Sequence, residues 1–157
     1  MREIEFRAKN LATNEWEYGS VLQDESRNEY FIHSNTGAGR LVRQETIGEF
    51  TGMYDKNDKK IYEGDIVLTQ KCRDKIWSDK TQYKRLVGVV KYNVEHTNKF
   101  GNSPDKIQYW DAGWTVDIIN KDDDKKYCYR NYSSFFKCEV IGNIHDNKSL
   151  LGGYEWN

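Results

Sequence analysis

FTGMYDKNDKKIYEGDIVL, residues 50–68, decides how the rest of the chain reads. FTGMY (50–54) is strand-like, and Asp55-Lys56-Asn57-Asp58 follows as a tight turn. Asn and Asp suit such turns because their short side chains bond locally and tolerate left-handed backbone. Lys60-Ile61-Tyr62 leads away from the turn, so residues 50–62 form a hairpin. Glu63-Gly64-Asp65 makes a second turn, and Ile66-Val67-Leu68 enters a strand with the β-branched residues that strands favour.

Upstream, REIEFRA (2–8) alternates, with Ile4, Phe6 and Ala8 on one face and Glu3, Glu5 and Arg7 on the other. A period of two predicts a half-buried strand. Trp16 and Tyr18 restart the alternation, and Val21-Leu22 either extends that strand or begins another. Tyr30-Phe31-Ile32 is a short strand, SNTGAG (34–39) a breaker cluster, and Leu41-Val42 a brief return. Residues 44–48 fit one helical turn as well as a strand.

Downstream, LVGVVKYNV (86–94) is the clearest strand, with Gly88 marking a bulge, a bend or a close backbone approach. Residues 107–119, 127–132 and 136–144 read as further strands, and Asp146-Asn147 as a cap for one helical turn through Leu150-Leu151. No stretch has the period of a long amphipathic helix. Short strands separated by turns at intervals of ~8–12 residues predict an all-β barrel or sandwich.

Composition narrows the function classes. The 157 residues are 37 % hydrophobic but 14 % aromatic, with 11 Tyr, 6 Phe and 5 Trp. Each aromatic removes roughly 150–250 Å² from water, so the core rests on rings more than on aliphatics. The mean hydropathy of −0.93 signals a large charged surface. A net charge of −1, from 24 basic and 25 acidic residues, gives no general attraction for nucleic acid or membrane. Cys72, Cys128 and Cys138 have no metal-finger spacing and an odd count, which disfavours a disulfide scaffold. No apolar run approaches the ~20 residues of a membrane helix, and residues 1–8 carry no signal-peptide pattern. The expected location is cytoplasmic, with no membrane partner and no cofactor.

REIEFRA, ETIGEFTGMYDKNDKKIYEGDIV (45–67), EVIGNIHDN (139–147) and Leu150-Leu151 together resemble the YopX protein family. The resemblance runs from Arg2 to Leu151. Its more specific pieces are Thr51-Gly52, Tyr62-Glu63-Gly64-Asp65 and Ile141-Gly142-Asn143, in that order and separation. The family tends to have Gly after Asn in the central turn, whereas Asp58 follows Asn57 here, which leaves the turn type open. The resemblance implies origin in a bacteriophage or a prophage of Gram-positive bacteria, and an SH3-like small barrel in the C-terminal part. It brings no catalytic motif and no site.

Several constellations carry a chemical and a structural reading. Glu63 and Asp65 could form a metal or general-base pair, but no third ligand stands at a matching spacing. The favoured reading has Gly64 making the bend and Asp65 accepting backbone N–H groups, so Thr51, Gly52, Gly64, Asp65 and Gly142 are structural motif residues. The segment 71–85 holds six Lys or Arg against two Asp, interleaved with Trp77 and Tyr83. Basic groups hold phosphates and rings stack bases, which makes Lys71, Arg73, Trp77, Tyr83, Lys84 and Arg85 candidate contacts for single-stranded nucleic acid. A solvated hairpin with Trp77 folded onto the barrel is the favoured alternative. Asp122-Asp123-Asp124 lacks calcium-loop spacing, His33, His96 and His145 lie far apart, and Gly37-Ala38-Gly39 lacks the Lys and helix of a phosphate loop. Trp110 and Trp114 read as core or interface more than as a ligand cage, and Cys138 as a small core residue.

The expected fold is all-β: an N-terminal β lobe over 1–48, an SH3-like barrel over 49–151 and a tail over 152–157. The expected role is a non-enzymatic phage or prophage accessory protein acting as a protein-interaction or self-assembling module, with a protein partner or a second copy of itself. The alternative is a single-stranded nucleic-acid binder using 71–85.

Overall fold

The structure, a computed structural model, describes residues 3–34, 37–72, 83–93, 113–119, 128–129 and 138–152; at 70–72, 83–85, 93, 118 and 128–129 it describes the backbone. Eleven strands and two 3-10 turns make up the secondary structure among the described residues, so the all-β expectation is met. No helix there is long and apolar enough to cross a membrane.

Six strands form the first sheet: β1 (Phe6–Lys9), β2 (Trp16–Asp24), β3 (Glu29–His33), β4 (Gly39–Val42), β5 (Gly48–Tyr54) and β6 (Lys60–Tyr62). Their order is β4-β3-β2-β1-β5-β6, antiparallel throughout. Val21 and Leu22 extend the strand begun at Trp16. The sheet curls until β4 meets the end of β1. Asn10 bridges Val42, Leu11 N–H donates to the Leu41 carbonyl at 2.9 Å, and Arg43 N–H donates to the Lys9 carbonyl at 2.8 Å. Ala8, Ile32 and Val42 are buried inside the curl, with Phe6, Val21, Tyr30 and Ile47 packed around them. The ambiguous 44–48 stretch contains a 3-10 turn, Gln44–Thr46, seated on this core. Thr46 Oγ1 accepts the Lys9 N–H at 2.8 Å and donates to the Arg43 carbonyl at 2.7 Å, a fixed position no regular strand would give it.

The second sheet has the order β10-β9-β8-β7-β11. Its strands are β7 (Asp65–Cys72), β8 (Tyr83–Asn93), β9 (Gly113–Ile118), β10 (Cys128–Tyr129) and β11 (Glu139–Asn143). Both faces are covered, which is why β7 and β8 read as near-continuous β-branched runs instead of alternating. Ile61, Val67, Leu86, Val90, Val116 and Cys138 form the core on one face. Ile66, Val89 and Ile144 form it on the other. Among the described residues β10 and β11 are the two edges, and no hydrogen-bonded ring closes this sheet.

The 50–62 hairpin joins the two halves. Its backbone belongs to the first sheet, through β5 paired with β1, while Ile61 and Met53 pack into the second sheet's core. The lobe boundary expected at 48–49 therefore lies inside β5.

Candidate functional site

Each end of the 50–68 stretch is built around an aspartate. In the hairpin loop, Asp55 accepts three backbone N–H groups: Asn57 at 2.7 Å and Lys59 at 3.0 Å on Oδ1, and Val140 at 2.9 Å on Oδ2. Lys56 N–H donates to the Cys138 carbonyl at 3.0 Å. One carboxylate thus shapes the loop and fastens it to β11. Burial opposes ionisation of Asp55, but the N–H donors and Lys59 outweigh it and hold the carboxyl below its ordinary value. Asp58, the residue that differs from the family's glycine, sits at φ 61°.

At the second turn, Gly64 has φ 78°, and a Cβ there would meet Ile144 Cδ1 at 3.2 Å. Its N–H donates to the Val90 carbonyl at 2.9 Å, and its carbonyl accepts the Ile144 N–H at 3.0 Å. Asp65, 1 % exposed, accepts the Tyr62 N–H on Oδ2 at 2.8 Å. Its Oδ1 lies 2.7 Å from Arg7 Nη2. Burial pushes the Asp65 carboxyl up, against the pull of Arg7 and the Tyr62 N–H.

Arg7 is the residue that sequence reasoning misplaced. Alternation sets it on the charged face with Glu3 and Glu5, yet it is 6 % exposed, whereas Ile4 on the apolar face is 68 % exposed. The strand begins at Phe6, and the second half of the molecule covers the face carrying Arg7 and Lys9. The guanidinium lies between two rings, 4.6 Å from the Trp16 centroid and 4.8 Å from that of Tyr62. Its Nη2 also reaches the Glu63 carbonyl at 3.3 Å. A desolvated cation between aromatic faces gains about 2 kcal/mol, which offsets part of the cost of burying it. The β1–β2 register sets Arg7 opposite Tyr18 and Lys9 opposite Trp16.

The turn after β11 completes this seam. Asp146 pairs with Lys9 Nζ and accepts Trp16 Nε1–H at 2.9 Å and Asn143 Nδ2 at 3.0 Å. Those donors overcome its partial burial and bring its carboxyl down to about 2. His145 is half-buried, its ring 5.9 Å from Trp16. Tyr62 donates its hydroxyl to Glu5, and Lys60 Nζ contacts Glu5 and Glu3 at 3.0 and 2.7 Å.

The other motif residues have backbone tasks. Thr51 Oγ1 donates to the Ile61 carbonyl at 2.9 Å, across the hairpin. Gly52 lies at φ 81° where the β5–β6 register shifts between Phe50 and Tyr54. Gly142 sits at the β11 bulge, where a Cβ would stand 2.6 Å from Asn147 Oδ1. That Oδ1 accepts the Asn143 N–H at 3.0 Å instead of capping the following 3-10 turn (Lys148–Leu151).

Glu63 and Asp65 do not share an open site. Glu63 Oε1 takes the Tyr92 N–H at 3.4 Å, while Asp65 faces Arg7. Of the basic-aromatic candidates, Arg73 and Trp77 lie outside the described residues, as do His96, Trp110 and Asp122-Asp123-Asp124. Lys71, Tyr83, Lys84 and Arg85 are placed by backbone alone, in the β7–β8 hairpin, with Lys71 directly opposite Lys84.

Two antiparallel sheets, clasped by one hairpin and a buried charged seam, define the class of this all-β protein. The chain belongs to the YopX protein family, whose model matches residues 5–152. No curated protein matches it. Among solved structures it is similar to protein EF1440 from Enterococcus faecalis, at 22 % identity and a TM-score of 0.46, over 96 % of this chain and 99 % of that one.

Proposed function

We propose that this protein is a phage or prophage accessory protein that acts in the host cytoplasm by binding, as a protein-interaction or self-assembling module without catalysis. The supporting observation is an apolar row on the outer face of the curled sheet. Leu22 stands opposite Phe31, and Phe31 opposite Leu41, in a line across β2, β3 and β4. Leu22 is 53 % exposed and Phe31 and Leu41 are half-buried, with exposed Leu11 hydrogen-bonded to Leu41. A chain poor in aliphatics gains nothing in stability by lining them up in water, and such rows mark docking faces. Two of the strand edges are already covered: residues 9–11 occupy the outer side of β4, and Asp55 and Lys56 that of β11. In this reading the second sheet, with Ile61 and Met53 of the hairpin packed on it, serves as an SH3-like barrel supporting the binding face.

Light scattering over a concentration series, with capture from infected cells, tests the proposal. Leu22→Glu should abolish association or capture and leave the melting temperature unchanged. A monomer at high concentration that recovers no partner overturns it.

A second reading rests on Lys71 facing Lys84 in register, with Gln70 opposite Arg85. Like charges directly opposite repel, and a phosphate between them would relieve the repulsion. Labelled single strands should then bind at ~50 mM salt, where such contacts are strongest; no binding there removes the reading.

A further inference from the structure

We propose that the turn over residues 144–147 is an acid-released latch between the two sheets, with His145 as its sensor. The turn lies at the end of the second sheet, but two of its side chains reach the first. Asp146 holds Lys9 of β1 and the Trp16 indole of β2, and the His145 ring packs on the same indole. Trp16 therefore already carries two cations, Arg7 at 4.6 Å and Lys9 at 5.4 Å from its centroid. A proton on His145 would place a third positive charge in this cluster.

The neighbouring charges do not neutralise it. Arg7 and Lys9 of β1 oppose the proton, while Asp146 of the same turn and Glu45 of the Gln44–Thr46 turn favour it. Asp146 is engaged by Lys9 and Trp16, and Asp65 of β7 and the Tyr62 ring of β6 are engaged by Arg7. Burial first, and Arg7 next, lower the His145 value from its ordinary 6.5. The sign follows. A base whose docked value is depressed favours docking fully above its undocked value and loses that contribution as pH falls through the docked one. Asp146, at about 2, stays ionised over this interval and does not titrate with His145.

Opening the turn costs the Asp146 contacts, the Ile144–Gly64 hydrogen bond and the place of Ile144 beside Ile66 and Val89, whereas the curl around Ile32 and the core around Val90 are built from other residues. The Trp16 indole N–H, donated to Asp146, reports the latch directly. Its hydrogen exchange, assigned with Trp16→Phe and corrected for intrinsic rate, should lose protection severalfold between about pH 7.5 and about pH 5. The amides of Ile32 and Val90 should keep theirs. In His145→Gln the indole protection should be flat over the same range. An unchanged indole in the natural chain, an equal loss in His145→Gln, or a parallel loss at Ile32 and Val90 each overturns the latch.

Discussion

Asp55 and Asp65 lie in one short stretch and are 5 % and 1 % exposed, yet their surroundings act on them in opposite senses. Three N–H dipoles satisfy Asp55, two of them from its own loop, and its carboxyl is held low. Asp65 has one N–H and a guanidinium that had to be buried with it, and its carboxyl is pushed up. Backbone donors fixed by a turn serve an anion without dehydrating a second ion, whereas a counter-ion brings its own desolvation. The first turn therefore stabilises the protein outright. The second yields a joint that is costly to break from one side only.

The largest effect is expected at that joint. Asp65→Ala strands the Arg7 charge and should lower stability by about 3–5 kcal/mol in urea unfolding. Replacing both partners, Arg7→Met with Asp65→Leu, should recover most of that loss; a double variant as weak as the single one would mean that the pair, and not only its imbalance, stabilises the fold. Asp55→Ala removes three charge-assisted acceptor contacts and should cost about 2 kcal/mol, with faster amide exchange at Val140 as its local sign.

Acid should separate the two aspartates further. The advantage of the natural chain over Asp55→Asn is expected in full above the ordinary value of 3.8 and should vanish as pH falls through the depressed folded value. Asp65 runs the other way: with its folded value raised, protonation relieves a burial cost, so acid titration of Asp55→Asn should show no second loss from Asp65. The smallest change concerns Asp58 at φ 61°. Asp58→Gly should raise stability by about 0.5 kcal/mol, because left-handed backbone costs a residue with a Cβ and costs glycine nothing. A destabilised Asp58→Gly would show that the Asp58 side chain contributes more than its backbone strain removes.

Local periodicity made much of the architecture legible. The 50–62 hairpin, the Gly64 turn and the β-branched strands follow from turn chemistry and strand propensity, which act between near neighbours. What stayed hidden depends on which elements meet across the chain. Arg7 reads as a solvent-facing residue because alternation shows that two faces differ and not which one another sheet will cover. His145 and Asp146 read as isolated residues after a strand, since their partners Trp16 and Lys9 lie more than a hundred positions away. The basic-aromatic segment stays in part outside the described residues, and only its Lys71–Lys84 register adds to the sequence.

Cys138 gives the molecule a built-in clock. It is 0 % exposed within the core that receives Ile61, and burial pushes its thiol up to about 12. Since the thiolate is the reactive form, an alkylating reagent at neutral pH meets almost none of it while the sheet is closed. The rate at which Cys138 is capped therefore counts openings of this core.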